Sequence, residues 1–146
     1  MGKTRQSANL VSSDSIFTDI TNGRIGIKTT TPGTTLDVSG NITCTDINSA
    51  SDINLKTNIK SVENSIEKLL QLNGVEFDWK ESKKSSIGVI AQDVEKVFPS
   101  LVTDIEKHKT VNYNGLIAVL IEAVKSQQLQ ITSLQAELKN LSDKIN

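Results

Sequence analysis

The sequence predicts an α+β chain in two parts, a β-structured segment through residue 50 and a mixed helix and hairpin domain that ends in a long coiled coil. Three observations carry this. The first fifty residues are poor in charge and rich in Thr, Ser, Asn and Gly, whereas the remainder is charged and amphipathic. Apolar residues alternate with polar ones in short runs between Arg24 and Cys44, the period of half-buried strands. From Ile117 onward, apolar residues recur at heptad spacing to the end of the chain.

The first part is predicted to hold three short strands. Ile16-Phe17 and Ile20 form a small apolar group within residues 1–23, which show no period. Ile25 and Ile27 alternate with Gly26 and Lys28, and Thr29 to Gly33 reads as a tight reversal around Pro32-Gly33. Leu36 and Val38 form the next strand, closed by Ser39-Gly40-Asn41, and Ile42 and Cys44 alternate once more. No strand carries enough apolar area to stand alone. Three chains wound round one axis would each give a narrow apolar edge to a shared core, and an ordinary β-meander is the other reading.

In the second part, Val62, Ile66, Leu69 and Leu70 fall at helical spacing, with Ser61 as N-cap and Asn73-Gly74 as stop. Val75, Phe77 and Trp79 alternate with Glu76, Asp78 and Lys80, and Ile87 to Ile90 returns as a buried strand, so the pair forms a hairpin. Ala91 to Phe98 is a short helix limited by Pro99. A charged turn through Lys107-His108-Lys109 precedes the short strand Thr110-Val111-Asn112. The last element opens at Asn114-Gly115 and gives a coiled coil over about 115–146. Ile117, Val124, Ile131, Leu138 and Ile145 occupy its a positions, and Leu120, Gln127, Leu134 and Leu141 its d positions. Mixed Ile, Val and Leu at these positions are compatible with a trimer, and Gln127 is a polar layer that fixes register.

Composition excludes several functions. Lys+Arg 16 against Asp+Glu 17 gives a net charge of -1, so nothing draws the chain to nucleic acid, and an aromatic share of 3% leaves no base-stacking surface. The same leanness limits the core of a single copy and favours association. Cys44, the one cysteine, cannot form an intrachain disulfide and reads as a small buried or half-buried hydrophobe. No apolar run reaches membrane-spanning length, no glycine-rich nucleotide loop occurs, and no cofactor or metal is expected. The opening Met1-Gly2-Lys3 suggests a piece of a longer protein.

The candidate chemistry lies on the compositional seam, at Ser51-Asp52-Ile53-Asn54-Leu55-Lys56. On spacing alone Ser51 and Lys56 describe a solvated helix entry; the seam reads them as a self-cleavage site. Ser51 Oγ would be the nucleophile, and Lys56, if neutral, the general base. Asp52 either orients that pair or caps a helix, and Asn58 is a further supporting candidate. His108 reads as a solvated loop residue rather than a second base, and Asp93 and Glu95 as a solvated helix face. Lys83-Lys84 is a charged loop.

Residues 24–42 resemble a module found near the end of many phage tail-fibre shafts. From Ser51 almost to the end, the chain resembles the C-terminal intramolecular chaperones of self-cleaving phage tail spikes and tail fibres, a serine–lysine peptidase family. The resemblance rests on Ser51-Asp52 with Lys56 and Asn58-Ile59, on Gly88-Val89-Ile90-Ala91-Gln92-Asp93-Val94-Glu95, on Pro99 with Leu101-Val102, on Val111-Asn112-Tyr113, and on Leu116 through Val124. It implies a homotrimer that brings three shafts into register, assists their folding and cuts itself off between Ala50 and Ser51. The domains would then be a distal shaft segment, 1–50, and a chaperone and autoprotease, 51–146. The released part would stay in the host cytoplasm and the shaft in the virion. Asn54 departs from the family, in which many members carry a basic residue there. A purely structural, non-cleaving trimeric fibre tip or adhesin is the competing reading.

Overall fold

The computed structural model describes residues 15–105 and 108–145, which fall into two compact units, Met1–Leu55 and Lys56–Asn146. Of the predicted first part, residues 1–14 lie outside the described residues.

The first unit holds one three-stranded sheet in the order β1 (Ile16–Asp19), β2 (Arg24–Ile27), β3 (Leu36–Val38). β1 and β2 pair antiparallel with Ile16 opposite Ile27. Their turn is tied by Asn22, whose backbone N–H and side-chain amide donate to the two Asp19 carboxylate oxygens at 3.0 and 2.7 Å. The amide of Asn22, with its backbone N–H second, holds the Asp19 carboxyl below its ordinary pKa. β2 and β3 are parallel, with Ile25 opposite Leu36. The expected tight reversal at Pro32-Gly33 is therefore corrected to an arch over residues 28–35. That is short for a parallel connection, which normally takes a dozen residues or more.

Specific bonds hold this arch. Lys28 turns the chain in left-handed backbone (φ 56), the Arg24 guanidinium donates to the Pro32 carbonyl at 2.9 Å, and the Gly33 N–H donates to Asp37 Oδ2 at 2.9 Å. Gly26 lies buried below it, and a Cβ there would run into the Thr29 carbonyl oxygen. Gly26→Ala is expected to weaken this sheet by about 1–3 kcal/mol, the usual range for overpacking. Faster amide exchange along β2 and β3, with the C-terminal helix unaffected, would register it; unchanged exchange would remove Gly26 from the account.

The alternation at Ile42 and Cys44 forms no strand. Residues 41–50 carry no regular structure, Ile42 is exposed, and Cys44 is exposed rather than half-buried. Alternation specifies a strand only where a partner strand takes up its backbone hydrogen bonds.

The second unit builds its core from Val94, Phe98 and Val119, surrounded by Val62, Leu69, Leu72, Val89, Val97, Leu101, Val102, Val111 and Leu116. Helix α1 (Ser65–Leu69) is shorter than its apolar pattern. Asn64 precedes it in left-handed backbone (φ 53), so Ser61 is not the cap, and the helix ends before Asn73-Gly74. Val62, Ser65, Leu69 and Leu72 turn inward, which leaves Leu70, one residue round the helix from Leu69, 80% exposed.

The hairpin forms from β4 (Val75–Asp78) and β5 (Ser85–Gly88), with Val75 opposite Gly88. β5 begins earlier than the predicted strand and is not buried: Ile87 is 74% exposed, on the same face of this two-stranded ribbon as its exposed partner Glu76. Phe77 and Trp79 stack edge to face at 5.3 Å. Helix α2 (Ala91–Val97) ends where expected, and Pro99 opens a single 3-10 turn, Pro99–Leu101. A second hairpin, β6 (Val102–Ile105) with β7 (His108–Val111), replaces the single short strand of the prediction.

Helix α3 (Tyr113–Ile145) is continuous over 33 residues, a length of about 50 Å at 1.5 Å per residue. Its entry is capped by Asn112, whose side-chain oxygen accepts from the Gly115 N–H at 3.2 Å. Gly115 lets the Leu101 side chain approach the helix closely, since a Cβ there would make that side chain shift. Val119 and Ala123 are buried against the unit's own core, but every described residue from Gln127 onward is exposed.

Candidate autoproteolytic site

Asp52 organises the seam. Its Oδ1 accepts from the Asn54 N–H at 2.8 Å and its carbonyl from the Leu55 N–H at 3.1 Å, which caps the 3-10 turn Ile53–Leu55. Of the two roles open to Asp52, capping is the one this geometry fills. In the sequence that turn stands between Ser51 and Lys56. Ser51 belongs to the end of the first unit and Lys56 opens the second. Asn58 adopts left-handed backbone (φ 54) and so bends the chain just after Lys56. Ala50, Ser51, Asp52, Lys56 and Asn58 are all exposed in the single chain.

The remaining candidates are placed elsewhere in the second unit. Asp93 pairs with Lys96 at 2.8 Å along α2. Glu95 binds Lys109 Nζ at 2.9 Å, and the same ammonium binds Asp104 at 2.7 Å. The bond to Asp104 first, and that to Glu95 second, raise the Lys109 pKa and keep it charged. His108 is exposed and opens β7 opposite Ile105 rather than lying in a turn. Lys83, in left-handed backbone, closes the tip of the first hairpin through its N–H to the Trp79 carbonyl at 2.8 Å. Among the described residues, no group of three or more His, Cys, Asp or Glu is placed to hold a metal. Nor, among them, is any helix long and apolar enough to cross a membrane.

What the sequence did not disclose is how its motif blocks lock together. The Lys109 ammonium ties β7 to α2 and β6. The Val89 N–H donates to the Tyr113 hydroxyl at 3.4 Å, and a Cβ at Gly88 would lie 2.8 Å from that oxygen. The Asn112 N–H donates to the Leu101 carbonyl at 2.8 Å. Residues 88–95, 99–102 and 111–113 are thus the joints of one scaffold. The glycine at 88 was the available signal, but its reason, a tyrosine far along the chain, requires the fold.

Residues 51–103 match the peptidase S74 family, described as the chaperone of endosialidase. The long tail fiber protein Gp37 of Enterobacteria phage K3 is 34% identical over 108 residues, covering 67% of this chain and 9% of that protein. Its namesake from Salmonella phage S16 is 35% identical over 116 residues, covering 71% of this chain and 16% of the relative. The Gp37 protein of Enterobacteria phage M1 is 32% identical over 110 residues, 68% of this chain and 44% of its own length. The chain therefore spans less than half of each of these relatives. With its motif blocks serving as the joints of one scaffold, the chain matches the endosialidase-chaperone family over residues 51–103 and is similar to phage long tail fibre proteins.

Proposed function

We propose that the chain is the assembly chaperone of a viral tail fibre, joined to the end of its shaft, and that it releases itself by cutting between Ala50 and Ser51. The observation that carries this is the bare stripe of α3. Leu134 is 57%, Leu138 69% and Leu141 60% exposed, on a helix whose described residues from Gln127 onward are all exposed. A heptad stripe of this length requires other helices. A coiled coil of three copies would cover it and bring three shaft ends into register. The shaft would remain in the virion and the cut chaperone in the host cytoplasm. The name shared by the relatives, long tail fiber protein, supports the shaft connection.

The chemistry follows from two side chains. Lys56 in its neutral form takes the Ser51 hydroxyl proton as Oγ attacks the Ala50 carbonyl carbon. The C–N bond breaks, the proton passes to the departing Ser51 nitrogen, and Ala50 is left as an ester on Oγ. Water then hydrolyses the ester, giving an Ala50 carboxylate and a chain that begins with a free Ser51 amine. Asp52 holds the turn between the pair, and Asn58 the bend after it.

A non-cleaving structural fibre tip is the second reading, favoured by the exposure of both Ser51 and Lys56 in the single chain. Intact mass of freshly folded protein separates the two. Cleavage yields two fragments, the second beginning at Ser51, while Ser51→Ala stays whole and light scattering reports three copies of it. An intact wild-type chain, or a new terminus elsewhere, would refute the self-cleaving assignment; a monodisperse monomer or dimer of Ser51→Ala would refute the trimer.

A further inference from the structure

The sequence holds three Asn-Gly steps, at Asn22-Gly23, Asn73-Gly74 and Asn114-Gly115. An asparagine side-chain carbonyl is open to attack by the next backbone nitrogen, and most so before glycine, which leaves that nitrogen unshielded and its backbone free to turn. What holds the two reacting groups decides whether the attack occurs, and the fold treats the three steps differently.

At Asn22 the side-chain amide and the backbone N–H are both engaged by the Asp19 carboxylate. Asn114 lies in the first turn of α3, where the Gly115 N–H donates to the backbone carbonyl and the side-chain oxygen of Asn112. Ring closure there requires that turn to open first. Asn73-Gly74 has no such restraint. Both residues are exposed, between the end of α1 and the start of β4, on backbone without regular structure. Among the described residues, no hydrogen bond holds the Asn73 side chain or the Gly74 N–H. Nor does the fold need a glycine there: Gly74 is not in left-handed backbone, and a Cβ on it would meet nothing within 4 Å.

We infer that Asn73-Gly74 is a self-modifying site, at which the asparagine deamidates within the folded chain. The deprotonated Gly74 nitrogen attacks Asn73 Cγ. A new C–N bond forms, the Cγ–Nδ2 bond breaks, and Nδ2 takes up a proton and leaves as ammonia. Water then opens the cyclic imide at one of its two carbonyls. Opening at Cγ leaves aspartate on an unaltered backbone. Opening at the main-chain carbonyl leaves isoaspartate, in which the chain runs through Cβ and Cγ to the Gly74 nitrogen. Either way one amide and one water become one carboxylate and one ammonia.

The two products act differently on the fold. Aspartate adds a negative charge at an exposed position. Isoaspartate also adds a carbon to the backbone, in a link that has no slack: only Asn73 and Gly74 separate Leu72, packed against the core, from Val75, paired with Gly88. The extra carbon displaces either Leu72 or the register of β4 on β5.

The test incubates the full chain, folded and at mildly alkaline pH, and follows each Asn-Gly step by peptide mapping and mass. Asn73 should convert to a mixture of aspartate and isoaspartate at least about tenfold faster than Asn114, which must wait for its helix to open. It should also outpace Asn22, and in the unfolded chain the three rates should converge. Gly74→Ala, which the fold accommodates, should keep Asn73 intact. Amide exchange along β4 and β5 should quicken in the isoaspartate fraction but not in Asn73→Asp, which carries the charge without the added carbon. Unchanged exchange in the isoaspartate fraction would overturn the effect on the hairpin. Asn73 surviving as long as Asn114 in the folded chain, or converting as fast in Gly74→Ala as in the wild type, overturns the site itself. Residue 73 is read identically in a whole chain and in one cut before Ser51, so cleavage has no bearing on either outcome.

Discussion

Lys56→Arg is expected to stop cleavage while leaving the trimer folded. Arginine keeps the positive charge and much of the stem length, so any electrostatic or packing role of Lys56 survives the exchange. What it cannot do is lose its proton, since the guanidinium stays charged above pH 12. A positioned general base contributes about 10²–10⁴-fold to a rate, and that is the expected loss. Lys56→Ala should fall as far, and a small primary amine added to the Ala variant should restore part of the rate by replacing the missing base. Intact mass over time measures all three. Wild-type cleavage in Lys56→Arg would mean that only a fixed positive charge is needed, and the base would have to be sought elsewhere. His108, the sole histidine, is the next candidate by chemistry, although it is exposed on β7.

The distribution of what was legible in the sequence has a physical logic. α3 and the β4–β5 hairpin were readable because each pattern reports a single local period: heptads along one helix, alternation along one ribbon. α2 was readable because Pro99 cannot continue it. The failures all turn on a packing or pairing partner that no local period encodes. Ile42 and Cys44 alternate as well as Leu36 and Val38, but only the latter meet a strand. The parallel pairing of β2 and β3 depends on Gly26 tolerating Thr29 overhead, which no period encodes. Leu70 and Leu69 are equally apolar, and only the packing of Val62 and Leu72 decides which turns inward. Lys109 looked like one charge among several in a turn, yet it is the clasp between α2, β6 and β7.

The site divides in the same way. Ser51 and Lys56 suggested a chemistry only in company with the compositional seam and the motif blocks that follow, and the turn capped by Asp52 gives that segment a defined backbone. The state of Lys56 was not legible, because burial is a property of neighbours. The α3 stripe is bare in one chain, and on the proposed trimer reading the chemistry is conditional on assembly.

A lesion in α3 should therefore reach the scissile bond without touching it. Leu134 occupies a d position in the half of α3 whose described residues are all exposed, and it is itself 57% exposed. Leu134→Asp leaves the fold of each unit intact, because no core residue is altered. In the trimer, however, it would set three carboxylates at one level of an apolar seam, each without a counter-ion. The carboxylates would have to leave water or take up protons, and dissociation is the cheaper outcome at neutral pH. Light scattering should report single chains, and cleavage before Ser51 should fall about as far as in Lys56→Arg. Acidification protonates the three carboxylates and so favours reassociation, but it also charges Lys56, so cleavage should not return with the trimer at low pH. Appending an unrelated trimeric coiled coil after Asn146 removes that conflict: copies are held together at neutral pH, and both trimer and cut should be restored. A monomeric Leu134→Asp chain that still cleaves at the wild-type rate would show that Lys56 is tuned within one chain, and assembly would then not time the release.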